Sequence, residues 1–461
     1  MRNSGKAIWI HSLTILLTAT LAYSQNDPAG ATAKLLTCES QPGGKEYCSA
    51  DTSNGVALAT QMSSESCLLG KTWGYDDKGV WVADGCGAQF VVGLAEGASG
   101  KQGDGFLRKF EPYGRFQGHM AVFDDEAEIQ DNVSWLGLKF ETGDRFKLFA
   151  RFELGTNLIG NVDKFRAGAR TDSGLLTLEE LENPDVFGAR LGYLGVDFGA
   201  AGRVTMGKDW GMHYSIAGYT TDRWNAFGGQ ASMAYPGYGD GGISGTGRAD
   251  QVVNYRVTVA KIVELGAQAQ FANSQNDEFV DGYGASVQLT VLPGLKVGGA
   301  YTQTEIADPT EGEIIGVIGD AEYKILGAKY SSDILDVGVV WATQKNGDAR
   351  YIFEPGVQDP EQIPVVFDGS GVEIYLNGKF GRWGLIGGYI DYDPDTEGTL
   401  LDPDFRTRYF IIGADWQITD GTGFYTEFRI DDSVGAEGQE SSSVGVFGLK
   451  YKFSWKASHR P

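Results

Sequence analysis

Over most of its length the chain sets an apolar residue at every second position. RFKLFARFEL puts Phe146, Leu148, Ala150, Phe152 and Leu154 on one face of an extended segment and Lys147, Arg151 and Glu153 on the other. GASVQLTV, LKVGGAYTQT and YFIIGADWQI repeat the theme. The final run, VFGLKYKFSW, carries Phe447, Leu449, Tyr451, Phe453 and Trp455 on one face, with Lys450 and Lys452 on the other. About sixteen such runs follow PYGRFQGHMAVF, each near the ~9–11 residues that a tilted membrane strand needs.

The connections alternate as well. Every second one is a tight turn: TGD after Glu141, AAG after Gly199, LPG after Val291, RWG after Gly381 and TDG after Ile418. The others read as long and acidic: DDEAEIQDN, SQNDEFVD, EIADPTEGEIIG, DYDPDTEGTLLDPD and DDSVGAEGQESS. A soluble sandwich has no reason to gather its long loops at one end, whereas an outer-membrane barrel does. An even strand count also closes the sheet without an edge, which lipid requires because it offers no hydrogen bonds to stray backbone groups. The expected fold is all-β: a 16-stranded antiparallel transmembrane barrel, with the apolar face of VFGLKYKFSW on lipid and its two lysines on a watery lumen.

A mean hydropathy of −0.22 does not oppose this, because alternation hides apolar residues from averages. The 67 glycines, 21 tyrosines and 24 phenylalanines suit a large β protein with many turns. A net charge of −23 argues against nucleic acid as a partner. At the N-terminus, basic Arg2 and Lys6 precede an apolar stretch from Ala7 to Ala22, and Ala22 and Ser24 supply small residues before Gln25. Residues 1–24 therefore read as a secretory signal peptide. In an exported chain, Cys38, Cys48, Cys67 and Cys86 read as two disulfides, with three pairings open. The long spacings and the absence of His among them disfavour a metal site.

The cysteines bound a module over residues 36–92, followed by a Gly-rich linker (93–110) and the barrel (111–456). With TWGYD and GVWV before its last cysteine, the module resembles a small Cys-rich unit of exported bacterial proteins whose function is not established. Trp73, Tyr75 and Trp81 read chiefly as its core, and alternatively as a carbohydrate-stacking patch.

One connection stands out. Between RVTMGKDWG and DQVVNYR lie roughly forty residues, rich in Gly, Tyr and Trp, a length that usually signals function. Here ARLGYLGV, VTMGKDW, AGYTTDRWNAFGG and GTGRADQVVNYR, with PYGR and LGLKFE earlier, resemble the general-diffusion trimeric porins of Gram-negative outer membranes. The resemblance covers about residues 110–455. It implies a passive channel for small hydrophilic solutes and ions, built as a homotrimer in outer-membrane lipid and lipopolysaccharide, and narrowed by a third loop facing a basic wall. It also implies basic constriction residues at Arg115, Lys208 and Arg248 and a loop acid at Asp222; Arg151 joins them by alternation. Ala226 and Trp135 stand where the family carries an acid and a base. The chain also continues past its last aromatic strand as KASHRP, beyond the family's usual terminal aromatic. The module is expected on the periplasmic side, with a periplasmic partner as one possible role.

Two other readings remain beside the general porin. One is a substrate-selective channel, for instance for carbohydrate. The other is an outer-membrane hydrolase using His213 and Ser215, although only His119, His213 and His459 survive signal removal. Asp391, Asp393, Asp395 and Asp402 lack the turning glycine of a calcium loop. No cofactor and no enzymatic activity are expected.

Overall fold

The computed structural model describes residues 34–53, 55–92, 109–123, 125–143, 146–157, 159–160, 162–163, 181–182, 187–236, 240–271, 279–305, 320–353 and 362–458. The chain divides into two compact units, residues 1–104 and 105–461. The expected signal peptide and almost all of the expected linker lie outside the described residues.

The N-terminal unit holds two small antiparallel sheets. Gly87–Val92 runs between Lys34–Glu39 and Ala57–Gln61, and Gly79–Ala83 runs between Lys45–Ser49 and Trp73–Asp76. Alternation drives both central strands: Val80 and Val82 on one, and Ala88, Phe90 and Val92 on the other, are buried. Trp73 closes this core, with its ring 4.9 Å from that of Phe90. The disulfides pair Cys38 with Cys48 and Cys67 with Cys86, which resolves the pairing left open by the sequence. Of the three aromatics weighed above, only Trp73 is core at 6% exposure; Tyr75 is 44% exposed and Trp81 is half-buried.

The second unit is a closed 16-stranded antiparallel barrel. In order its strands are Lys109–Phe123; Glu126–Asp131 with Ser134–Thr142; Lys147–Thr156; Phe187–Asp197; Arg203–Trp210; Arg248–Val259; Val263–Gln270; Gly282–Leu292; Leu295–Thr304; Ala321–Ser331; Leu335–Phe353; Gln362–Phe380; Trp383–Pro394; Thr407–Gln417; Thr422–Asp431; and Val444–Ser454. Closure comes from the last strand pairing the first, with Phe447 opposite Met120 and Ser454 opposite Tyr113. Ala457 and Ser458 of the C-terminal extension continue that ladder against Phe110 and Lys109. The outward face is apolar as expected, with Leu148, Phe152, Leu194, Met206, Phe410, Phe447 and Leu449 all exposed.

The tight turns fall where the sequence foretells, while most of SQNDEFVD and EIADPTEGEIIG lies outside the described residues. Gly143 and Gly294 carry positive φ at two of these turns, where a Cβ would lie 2.2 Å from the Phe146 carbonyl oxygen and 2.4 Å from that of Ser331. Two expectations need correction. DDEAEIQDN is no long loop: Glu126–Asp131 extends the second strand, pairing Phe123 with Glu126 across a short turn. Its Ala127 and Ile129 keep the outward alternation, while Glu128 and Gln130 face inward, so the acids are compatible with a strand whose inner face is wet. Nor does YFIIGADWQI alternate apolar with polar. Tyr409 and Ile411 are buried on the inner face while Phe410 and Ile412 are exposed on the outer one. Tyr323, Ile325, Val340, Ala342, Ile390 and Val446 likewise join one apolar cluster that includes loop residues Ile216, Phe227 and Met233.

Candidate functional site

The loop between the fifth and sixth strands begins with its base tied shut: the Gly211 N–H donates to Gly247 O at 2.8 Å and that of Tyr214 to Thr246 O at 2.9 Å. A seven-residue helix, Tyr214–Thr220, follows and buries Ile216, Ala217 and Thr220. So short a helix has no stability of its own and needs this packing. Glycines on successive strands make the room. A Cβ on Gly327 would lie 2.7 Å from Ile216, one on Gly338 2.2 Å from the Thr220 carbonyl, one on Gly371 2.5 Å from that of Ala231, and one on Gly388 1.8 Å from the Trp224 ring. These four belong to the tenth, eleventh, twelfth and thirteenth strands, so they form a track against which the loop packs, by its backbone at Gly338 and Gly371 and by side chains at Gly327 and Gly388.

Past the helix, two buried carboxylates hold the loop by its amides. Glu373 accepts the N–H groups of Ala231 and Ser232, each at 2.9 Å, and the Thr221 hydroxyl at 2.6 Å. Glu427 accepts those of Asn225, Ala226 and Phe227 at 2.7, 2.8 and 3.1 Å. Both side chains are fully buried and neither forms an ion pair among the described residues. Buried charge of this kind is tolerable only when donors saturate it. Asn225 is the hub of the tip. Its carbonyl accepts from Gln117 and Asn132, its side-chain oxygen accepts from Lys450 at 2.7 Å, and its amide nitrogen donates to Asp415 at 3.1 Å.

The residues singled out from sequence fall into three groups. Lys208 and Arg248 meet at the base of the loop, where Lys208 lies 2.9 Å from Asp240 and 2.6 Å from Asp250, and Arg248 lies 3.2 Å from Asp240. Burial opposes the Asp240 charge, but the Lys208 hydrogen bond and the Arg248 charge outweigh it and hold this carboxyl below the usual range. Arg151 sits elsewhere, bound to Glu153 and the Tyr113 hydroxyl, with Arg190 3.6 Å from the same glutamate. Arg115 donates to the Val133 carbonyl at 2.9 Å and attracts Asp222 electrostatically. Asp222 itself accepts from the hydroxyls of Tyr214 at 2.7 Å and Tyr235 at 3.3 Å.

Sequence reasoning missed Glu373, Glu427, Asn225 and Arg190. Alternation places both glutamates on the inner face, but nothing local reveals a distant amide partner. His213 and Ser215 make no catalytic pair. His213 is fully buried with Nε2 2.7 Å from the Ser232 carbonyl oxygen, burial pushes its pKa down to about 4, and Ser215 donates to the Gly211 carbonyl oxygen just ahead of its helix.

A sequence model of the Gram-negative porins matches residues 98–436, and one described as a protein of unknown function (DUF3011) matches residues 20–102. Outer membrane porin N of Escherichia coli is 24% identical over 398 residues, spanning 79% of this chain and 97% of the relative. Outer membrane porin F of Xenorhabdus nematophila is 23% identical over 393 residues, again 79% and 97%. Among solved structures, OmpF of Salmonella typhi in complex with daunomycin superposes with a TM-score of 0.56 at 16% identity, covering 76% of this chain and 98% of that one. An anion-selective porin from Comamonas acidovorans gives 0.52 at 14% identity, covering 75% and 99%. With the family model matching well over half of the sequence and the closed barrel its strands build, the chain belongs to the Gram-negative porins and is a non-enzymatic channel protein of the outer membrane.

Proposed function

We propose that the loop at 211–247 lies across the barrel interior and narrows a water-filled channel for passive diffusion of small hydrophilic solutes and ions. The observation that carries this reading is the pair of buried glutamates. A loop rooted on the fifth and sixth strands hands seven of its donors to inward-facing carboxylates of the twelfth and fifteenth. Its apolar side packs against the inner face of the tenth to sixteenth strands. The passage then runs between the loop's other side and the wall that carries Arg115, Arg151 and Arg190. Asp222 is the acid opposite that wall, and the field between them favours polar solutes. Lys208 and Arg248, paired with Asp240 and Asp250, act mainly as clamps for the loop base.

The working unit in this reading is a homotrimer in outer-membrane lipid and lipopolysaccharide; one superposable relative, OmpT of Vibrio cholerae, was solved in a trimer form. The N-terminal module belongs to the periplasmic side. Planar-bilayer recording of the purified protein tests the channel: stepwise openings, in threes for a trimer, are expected. Shortening the loop by residues 223–236 is expected to raise the unitary conductance. An unchanged conductance after that deletion would place the narrowest point elsewhere.

A further inference from the structure

Beside the short loop helix lies a cavity of about 340 Å³, walled by the fourth, fifth and sixth strands. Four aromatic rings line it: Tyr193, Trp210, Tyr214 and Tyr219. Trp210 and Tyr214 stack at 3.8 Å and 16°, and a Cβ on Gly218 would come within 2.5 Å of the Tyr214 ring. Two guanidinium groups face the same space, because Arg203 and Arg256 are direct register partners on neighbouring strands. The one acid there, Asp209, is already engaged. It accepts from Arg256 and Asn254 at 3.1 Å each, from the Thr205 hydroxyl at 2.7 Å and from its neighbour's N–H at 2.8 Å. Arg203 forms no ion pair among the described residues. The Tyr219 hydroxyl is buried and lacks a hydrogen-bond partner there.

Arg203, which stands opposite Asp197 in the strand ladder without forming an ion pair among the described residues, one unsatisfied hydroxyl and a ring-lined wall define a ligand chemically. Apolar walls with a few placed polar groups are the usual form of a small-molecule site, and this volume sits near the small end of the ~300–1,000 Å³ range. The planar fork of arginine recognises carboxylates in a bidentate way. Aromatic faces and edges select a ring over an extended chain.

We propose that this cavity is a solute-binding subsite for a small monocarboxylate carrying one six-membered ring, either an aromatic acid or a sugar acid. The carboxylate meets Arg203, the ring lies against Trp210 and Tyr214, and a ring substituent or carboxylate oxygen accepts from the Tyr219 hydroxyl. This rests on the channel reading above and gives that channel a preferred solute class.

Calorimetric titration of the detergent-solubilised full-length protein tests binding without requiring conduction. Benzoate and glucuronate are the probes, with acetate, benzyl alcohol and glucose as controls. Saturable binding of at least one ring acid is expected, with every control at least about tenfold weaker, the size of one well-placed charged hydrogen bond. Arg203→Gln should weaken the ring acid about tenfold and Tyr219→Phe by a few-fold, while Lys147→Gln, an equal loss of charge at a strand end, should not. Benzoate alone binding would assign the site to aromatic acids, and glucuronate alone to sugar acids. Equal binding of acetate and the ring acids, or equal loss in the Arg203 and Lys147 variants, would reduce the effect to the general field of the pore and overturn the subsite. Bilayer conductance without any ligand separates the two readings: a conducting protein that binds no ring acid loses only the subsite.

Discussion

Two strands of this molecule obey the same period-two rule and meet opposite surroundings. In the module, GAQFVV buries Ala88, Phe90 and Val92 beneath a second sheet and two disulfides. In the barrel, VFGLKYKFSW turns Phe447, Leu449 and Tyr451 outward and exposes them. The module is a unit too small for a generous core, so covalent staples supplement it. The barrel closes on itself, its last strand pairing its first, and turns its apolar side outward. Alternation therefore specifies which residues share a face. What covers that face is decided by the remainder of the chain.

Swapping phenylalanines is the strongest way to break the comparison. Phe90→Ala should destabilise the module by about 3–5 kcal/mol, since it leaves a cavity among rigid neighbours. Phe447→Ala should cost the barrel much less, because lipid chains flow into the space. Urea-dependent proteolysis of the module and heat-modified gel migration of the barrel, read on the same intact protein, report the two separately. Equal losses would mean that the two faces do not differ in kind. Serine at both Cys67 and Cys86 comes next, at about 2–5 kcal/mol for the module and nothing for the barrel, which has no cysteine. Third, Phe447→Lys should destabilise the barrel by about 2–4 kcal/mol if its side chain sits near mid-membrane. A barrel that tolerates this lysine with unchanged heat-modifiability would argue that Phe447 does not face lipid.

The architecture was largely legible because strand period and turn rhythm are local properties. DDEAEIQDN misled because high charge reads as loop, although an inner strand face accepts acids as readily as a loop does. YFIIGADWQI carried a signal that alternation alone overlooks. A strand apolar on both faces within a barrel needs something packed inside it, and Tyr409 and Ile411 join the cluster that holds the loop. Gly327, Gly338, Gly371 and Gly388 were equally readable as strand glycines, which mark close backbone approach. The partners of Glu373 and Glu427 were not readable, since each lies at least 141 residues away in sequence. Disulfide pairing stayed open for the same reason: spacing does not encode proximity.

The loop offers a sharper version of the comparison, because its apolar residues share one buried cluster with residues of the barrel strands. Glu427→Gln keeps the shape but sets an NH₂ against amide N–H groups, at a cost of about 1–3 kcal/mol. Amide exchange at Asn225, Ala226 and Phe227 should then accelerate roughly ten- to hundredfold, since each 1.4 kcal/mol is tenfold. Exchange at the base amides of Gly211 and Tyr214 should hold. If the tip amides remain as protected as in the parent, Glu427 is not what pins the loop.

The smallest effect belongs to the module's outer surface, where Tyr47 donates to Asp76 at 2.5 Å. The hydrogen bond with Asp76 is the main cause that lifts the Tyr47 phenol from 10.0 to about 12, and the same bond is the main cause that lowers the Asp76 carboxyl. The signs follow directly. A depressed carboxyl adds stability above its unfolded value and loses it as the pH falls through the folded one. A raised phenol adds stability below about 10 and loses it as the pH climbs to about 12. Tyr47→Phe should therefore return Asp76 towards ordinary carboxylate titration, as followed by side-chain NMR. It should flatten the alkaline limb of module unfolding only slightly, because the pair is solvent-exposed and screened. An Asp76 titration that does not move would mean that the Lys78 and Gly79 amides hold that carboxylate without the phenol.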